Sequence, residues 1–217
     1  CLLIVKNYTG DRLNFGLAAE RARAFGHNVS MVIIDDDVAL PNLPQARGLA
    51  GTLFVHKIAG AMAENGASLN ECKMAAERVI KNSRSIGMSL DTCTVPGSPK
   101  ENRIPNGMAE LGLGIHGEAG VEQVASLGAK DAIAKVVQKL AATMADAPHA
   151  MLINNLGAAS VLEMLILTND LLASSIGDRI ALVIGPSAMM TALDMHGFSI
   201  SVVEMSSDDA AMLSQAV

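Results

Sequence analysis

Two short stretches of the chain hold residue types that could do chemistry. The first is Lys6-Asn7-Tyr8-Thr9-Gly10-Asp11, where an apolar run gives way to a helical pattern. In open α/β sheets, ligands settle in the crevice beyond the carboxyl ends of strands. A helix start there adds unpaired N–H groups and a partial positive charge. Lys6 could donate to a ligand oxygen and Asp11 could accept a proton. Equally, Asp11 is a favoured helix N-cap and Lys6 could be a solvated strand end. The second stretch is Gly112-Leu113-Gly114-Ile115-His116-Gly117. Its glycines leave little steric cover over His116, so a small molecule could reach a ring that is largely neutral and nucleophilic near pH 7. The same letters spell GxGxxG. A dinucleotide fingerprint needs a strand before it, a helix after it and an acidic residue roughly 20 positions on. Here the preceding apolar stretch is short and Glu118-Ala119-Gly120 does not open a helix. A satisfied core histidine in a tight turn is the third reading of His116.

Other candidates carry less. Asp35-Asp36-Asp37 could bind a hard divalent cation, but such a run after a strand reads better as a solvated or capping loop. His27, His56, His149 and His196 have no metal-ligand spacing, and His56 reads as structural. Cys93 is expected in a strand, packed. Met189, Met190 and Met195 read as core or interface filling. Asn154-Asn155-Leu156-Gly157, between a strand and a helix, could cap, bind or position a partner. The chain lacks both the GxSxG elbow and the GxxxxGK[ST] phosphate loop.

The elements that must position these residues alternate. Residues 1–5 read as a buried strand, 12–25 as a helix closed by Gly26 and Asn28, and 29–34 as a second strand. A strand-helix-strand unit of this kind makes the two strands parallel. An extended stretch with Pro41 and Pro44 follows. Helices are expected over 52–63 and 69–85, and a strand over 88–95. Residues 96–107, rich in Pro, Gly and Asn, form the best boundary. Beyond it the pattern predicts a strand over 110–116, a loop over 117–128, a helix over 129–145 and a strand over 150–154. Then come a helix over 158–173, a strand over 179–184, a short helix over 187–194, a strand over 198–204 and a helix over 207–215. The fold class is α/β.

Composition bounds the function. The 217 residues are 50% hydrophobic, 18% charged and 2% aromatic, with a net charge of −6. This length can bury a sizeable core without disulfide or metal. The acidic balance and scarce aromatics argue against nucleic acid. Apolar runs such as 1–5 and 31–34 fall far short of the roughly 20 residues a membrane span needs. Three cysteines without CxxC spacing read as reduced thiols in a cytoplasmic protein. The chain opens on an apolar strand and reads as a piece that begins inside a domain.

Taken together, residues 6–15 (KNYTGDRLNF), 32–38 (VIIDDDV), 56–61 (HKIAGA) and 111–120 (LGLGIHGEAG) resemble the substrate-binding subunit of dihydroxyacetone (glycerone) kinases. Residues 93–96 (CTVP), 154–157 (NNLG) and 193–200 (LDMHGFSI) extend the resemblance in the same order over nearly the whole chain. The resemblance implies a two-domain α/β homodimer with mixed or parallel sheets flanked by helices, its first domain incomplete here. Residues 1–97 would be the C-terminal part of the first, substrate-binding domain, and 98–217 the second domain, carrying the nucleophilic histidine. His116 takes the position of the histidine that adds to the ketose C2 carbonyl and forms a hemiaminal. Asp11 takes that of the carboxylate that helps deprotonate a terminal hydroxyl, and Lys6 that of a lysine touching substrate. The family's upstream portion, with a Gly-rich loop and a second histidine, has no counterpart in these residues. The resemblance places ATP or ADP with Mg²⁺ on a separate domain or subunit and none on this chain, so the chain alone should not be a competent kinase. Three functions follow as hypotheses. They are a kinase subunit for dihydroxyacetone or a related short ketose, a ketose-binding regulatory paralogue, and a dinucleotide oxidoreductase.

Overall fold

The computed structural model describes residues 1–39, 46–115, 118–125 and 128–215. The chain opens with β1 (Leu2–Lys6), α1 (Thr9–Ala24) and β2 (Ser30–Ile34). The two strands pair in parallel, Leu2 opposite Ser30 through Lys6 opposite Ile34, as the crossover through α1 requires. Next come α2 (Thr52–Glu64) and α3 (Leu69–Asn82). Helix α3 starts on a capping box: Glu71 N–H donates to Ser68 Oγ (3.3 Å) and Ser68 N–H to Glu71 Oε2 (2.7 Å). The rest of the chain runs β3 (Ser83–Ser89), β4 (Met108–Leu111), β5 (Glu122–Ala125), α4 (Ala129–Ala141), β6 (His149–Asn155), α5 (Val161–Leu172), β7 (Ile180–Ser187), β8 (Gly197–Glu204) and α6 (Ser207–Ser214).

Six strands form one sheet in the order β5-β4-β3-β8-β6-β7. Only β6 and β7 run parallel; the other neighbours are antiparallel. The architecture is therefore mixed α/β, sheets flanked by helices. The Pro- and Gly-rich residues 96–107 lie between β3 and β4, which pair at Met88–Leu111 and Ser89–Glu110. The six-stranded sheet thus draws strands from both sides of residue 97.

Strand β6 shows how the sheet is buried on both faces. Ala150 and Leu152 join a core with Phe54, Val55 and Ile58 of α2, Val79 of α3 and Leu213 of α6. Met151 and Ile153 point the other way, into a core with Val136 and Leu140 of α4 and Met164, Leu167 and Leu171 of α5. A doubly covered strand reads as a continuous apolar run, which is why β6 is plain in the sequence. Each of the larger of these side chains contributes about 1.5–3 kcal/mol by burial.

Four elements depart from the sequence expectation. The strand expected over 110–116 is β4, which runs Met108–Leu111 and stops before Gly112. Helix α3 stops at Asn82 and β3 begins at once, where the pattern predicted helix to residue 85 and a strand over 88–95. The cause is polar burial. Ser83 Oγ donates back to Val79 O (2.7 Å), and Ser85 sits fully buried with its hydroxyl on Ser201 Oγ (2.6 Å). The strand therefore lacks the apolar signature of a core strand. Strand β5 occupies part of the expected 117–128 loop, pairing with β4. No helix forms over 187–194. Asn154 Oδ1 instead accepts from the N–H groups of Met189 and Met190 (3.0 and 2.8 Å), and Asp194 Oδ1 accepts from Thr94 N–H (2.6 Å).

Helix α6 is docked by charge. Arg78 on α3 forks onto both Asp209 oxygens (2.6 and 2.7 Å), and Asp209 also accepts from Ser206 N–H (2.9 Å), capping its own helix. Burial alone would raise the Asp209 pKa, but the bonds from Arg78 and Ser206 outweigh it and hold it below the usual carboxylate range. The contribution is therefore complete above the unfolded value near 3.9 and is lost as pH falls through the folded one. Asp209→Ala should destabilise the chain by about 2 kcal/mol in urea titrations at pH 7. The gap from wild type should narrow as pH falls below the unfolded carboxylate value; a gap independent of pH would contradict this account.

Candidate functional site

The site is built where β1 and β2 end. Asn7 N–H donates to Ile34 O (2.9 Å) and Asn7 Nδ2 to Ala46 O (2.7 Å), drawing the residues after β2 across the strand ends. Gly48 passes so close that a Cβ there would stand 2.8 Å from Lys6 Cβ and 2.7 Å from Ile34 O. Lys6 is the last residue of β1 and half-buried. Tyr8, with an extended backbone, is the N-cap of α1, and no side chain caps that helix. Asp11 is therefore not the cap. It lies in the first turn of α1, half-buried, and accepts no hydrogen bond from any described residue. Its carboxylate sits in the first turn, near the positive end of the helix.

The triple aspartate is the second component. Asp36 is fully buried and accepts from Leu49 N–H (2.6 Å), Gly51 N–H (2.8 Å) and the Ser85 hydroxyl. Ser85 N–H returns a bond to Asp36 O (2.7 Å). Asp37, also buried, accepts both arms of Arg47, Nε at 2.7 Å and Nη2 at 2.6 Å, and Ala39 N–H at 2.9 Å. Burial pushes both carboxyls above their usual range, against the bond from Leu49 N–H for Asp36 and against the Arg47 charge for Asp37. Only Asp35 remains exposed. The run is a capping and bridging device, and the solvated-loop expectation fails for Asp36 and Asp37 because backbone amides and Arg47 replace their water.

Arg47 then reaches the second motif: its Nη2 donates to Gly112 O at 2.7 Å, while Gly112 N–H donates to Gly87 O at 2.7 Å. Gly112 has φ +71°, and a Cβ would meet Ala39 Cβ at 2.4 Å and Val121 Cγ2 at 2.5 Å. The turn needs glycine for conformation and for space. Three residues on, Ile115 N–H donates to Tyr8 Oη at 3.4 Å. Burial, with the Glu118 carboxylate nearby, drives the Tyr8 pKa above the ordinary tyrosine value, so the phenol stays neutral. A Cβ at Gly114 would stand 2.2 Å from Glu118 Oε2, so the Glu118 carboxylate lies directly over that glycine. The structure thus brings the KNYTGD and LGLGI stretches together, with Asp37, Arg47 and Glu118 between them. His116 and Gly117 lie outside the described residues.

Sequence reasoning missed Tyr8, Arg47 and Glu118. Tyr8 and Glu118 flank singled-out residues; Arg47 sits in a stretch read only as extended, and no local signal pointed to it. The dinucleotide reading fails on context. After Leu111 the described chain continues through residues 118–121 into β5, and the next helix begins only at Ala129. Among the described residues no cluster of His, Cys, Asp or Glu could hold a metal ion. His56, on α2, is exposed; partial burial first and the Lys6 charge second lower its pKa. His196 lies elsewhere, with Nε2 on Glu163 Oε1 at 2.9 Å. Cys93 packs near Leu113, Leu156, Ala192 and Met195, outside any strand. Asn154 is buried and holds the 189–190 segment rather than facing a ligand.

In an α/β fold, strand ends that carry an uncommitted carboxylate, a lysine and a glycine-built turn are the expected place for a small ligand. The chain belongs to the Dak1 domain family, which it matches over residues 1–217. It is 46% identical over 208 residues to a dihydroxyacetone kinase of Citrobacter freundii, covering 94% of this chain and 37% of that protein. It is 36% identical over 214 residues to the dihydroxyacetone-binding subunit of a PTS-dependent dihydroxyacetone kinase of Listeria innocua, covering 94% and 64%. Among solved structures, the C. freundii dihydroxyacetone kinase in complex with AMP-PNP and Mg²⁺ superposes with a TM-score of 0.97 at 45% identity, over all of this chain and 41% of that one. A dihydroxyacetone kinase operon co-activator superposes with a TM-score of 0.90 at 25% identity, over 97% and 68%. The chain spans about a third of the C. freundii kinase and under two thirds of the Listeria subunit.

The two glycines give a paired test. Gly112→Ala should cost about 2–4 kcal/mol, because strain and overlap add. Gly10→Ala, in open space in the first turn of α1, should be neutral or stabilising by up to about 1 kcal/mol. Equal stability of the two variants in urea titrations would contradict the packing described for residue 112.

Proposed function

We propose that this chain is the ketose-binding part of a dihydroxyacetone kinase. The observation that carries the reading is the contact of the two motif-bearing stretches, Tyr8 with Ile115, in a chain of the Dak1 family. In this reading the His116 ring nitrogen adds its lone pair to the C2 carbonyl of dihydroxyacetone. The carbonyl π pair moves to oxygen, which gains a proton as the other ring nitrogen gives one up, and the product is a neutral hemiaminal with no leaving group. A small electrophilic carbonyl needs an accessible neutral nitrogen for this step. Glycerol, lacking a carbonyl, is excluded by chemistry rather than by shape.

Lys6 donates to a substrate oxygen. Asp11 accepts the proton of the terminal hydroxyl as that oxygen attacks phosphorus; its unspent acceptor capacity supports this role. A positioned base of this kind contributes about 10²–10⁴-fold. The phosphoryl donor comes on a separate domain or subunit: ATP with Mg²⁺, either supplied directly or regenerated in place from bound ADP by a phosphotransferase protein, with ADP as the leaving group and Mg²⁺ supplying charge neutralisation. No helix among the described residues is long and apolar enough to cross a membrane, and the three free thiols suit a reducing, cytoplasmic setting. The second reading is a regulatory paralogue that captures the ketose and transfers no phosphate. The likeness to an operon co-activator favours it.

We also propose a homodimer. On α5, Val161, Leu162 and Leu165 are 77%, 68% and 52% exposed, an apolar face of the kind that marks protein interfaces. Leu162→Glu combined with Leu165→Glu should convert a dimer to a monomer by light scattering; a monomeric wild type at tens of micromolar would remove the proposal.

Calorimetric titration tests the ketose reading. Dihydroxyacetone should bind and glycerol should not, and His116→Ala should abolish the difference. With the nucleotide-bearing partner added, Asp11→Asn should keep binding but lose about 10²–10⁴-fold in turnover. Binding without turnover in the wild type would select the regulatory reading. Equal binding of ketone and alcohol would sink both.

A further inference from the structure

Beyond the bond from Gly112 N–H to Gly87 O, two contacts hold the backbone that leads into His116, and both come from the β1–β2 side of the fold. The Asp37–Arg47 pair is tied to the end of β2 and grips Gly112 O. The Tyr8 phenol, at the start of α1, receives Ile115 N–H. The grip points lie three residues apart, on either side of Leu113, which is buried against Leu156, Ala192 and Met195. The segment 112–115 is therefore pinned at Gly112 O, at the Leu113 side chain and at Ile115 N–H. One of these three pins, Tyr8, originates in the stretch that also carries Lys6 and Asp11.

We propose that Tyr8 and Arg47 are positioning residues. They fix the 112–115 backbone against the end of β1 and so set the geometry in which the histidine that follows meets the ketone. This rests on the ketose reading above. Reaction rates are sensitive to displacements of about 1 Å at the attacking atom, so anchors of the attacking segment influence capture without touching substrate. The chemistry of the two anchors suits the task. The raised Tyr8 pKa keeps its hydroxyl protonated and dipolar at every working pH. The guanidinium can satisfy a carboxylate and a carbonyl at once through its planar fork, which a lysine ammonium at the end of a flexible stem does not reproduce.

The test uses Tyr8→Phe, which deletes only the hydroxyl, and Arg47→Lys, which keeps the charge beside Asp37 but loses the fork. Amide hydrogen exchange is measured residue by residue in the 217-residue chain, together with dihydroxyacetone affinity. In Tyr8→Phe the Ile115 amide should exchange at least fivefold faster with melting temperature nearly unchanged, and ketone affinity should fall roughly fivefold, the change one ordinary hydrogen bond produces. Arg47→Lys should loosen Gly112 and weaken ketone binding in the same direction. Unchanged exchange at Ile115 would overturn the anchoring. Faster exchange with wild-type ketone affinity would overturn the positioning role and leave a purely structural contact. A wild-type chain that binds no dihydroxyacetone would refute the ketose reading instead, and the exchange rates would then decide the anchoring on their own.

Discussion

Two adjacent buried carboxylates at the end of β2 hold the small parallel sheet, the large sheet and the candidate site in one frame. Asp36 gathers the amides of Leu49 and Gly51 and the hydroxyl of Ser85, so it joins the start of α2 to β3. Asp37 takes Arg47, and through it the carbonyl of Gly112. Taking a carboxylate out of water is costly, and only a full set of donors offsets it. The raised pKa values of both groups show that burial remains the larger effect on each. The arrangement is cooperative for that reason: each donor is needed to keep the carboxylates inside, and the carboxylates hold the donors in place.

What this frame supplies to the site is order. The strand ends are joined backbone to backbone, and the side chains of Arg47 and Tyr8 tie Gly112 and Ile115 to them. Asp11 is the exception by design of the local sequence. Tyr8 occupies the N-cap position and its side chain turns to Ile115, so Asp11 is released from capping. A carboxylate that caps nothing, set at a helix start next to a lysine-bearing strand end, is the feature the proposed proton-accepting role draws on.

The strand-helix-strand opening was legible because a continuous apolar run, a polar turn and a C-cap glycine agree with one another. Strand β6 was legible because both its faces are apolar. Strand β3 was not, since Ser83, Ser85 and Ser89 are buried beside Ile86 and Met88, and Ser85 answers Ser201 and Asp36 across space, a pattern local periodicity does not register. The absent helix at 187–194 has the same origin, because a distant asparagine competes for its amides. In the site, Lys6 and Asp11 could be picked from position at a strand-to-helix junction. Arg47 could not, because its partners Asp37 and Gly112 lie 10 and 65 residues away in sequence.

The central claim is covalent capture of a ketose on His116, and ¹³C NMR of C2-labelled dihydroxyacetone tests it most directly. The account predicts loss of ketone signal and a new sp³ carbon resonance with the wild-type chain, both absent with His116→Ala. A ketone signal unchanged by the wild-type chain, or a new resonance that survives His116→Ala, would contradict it.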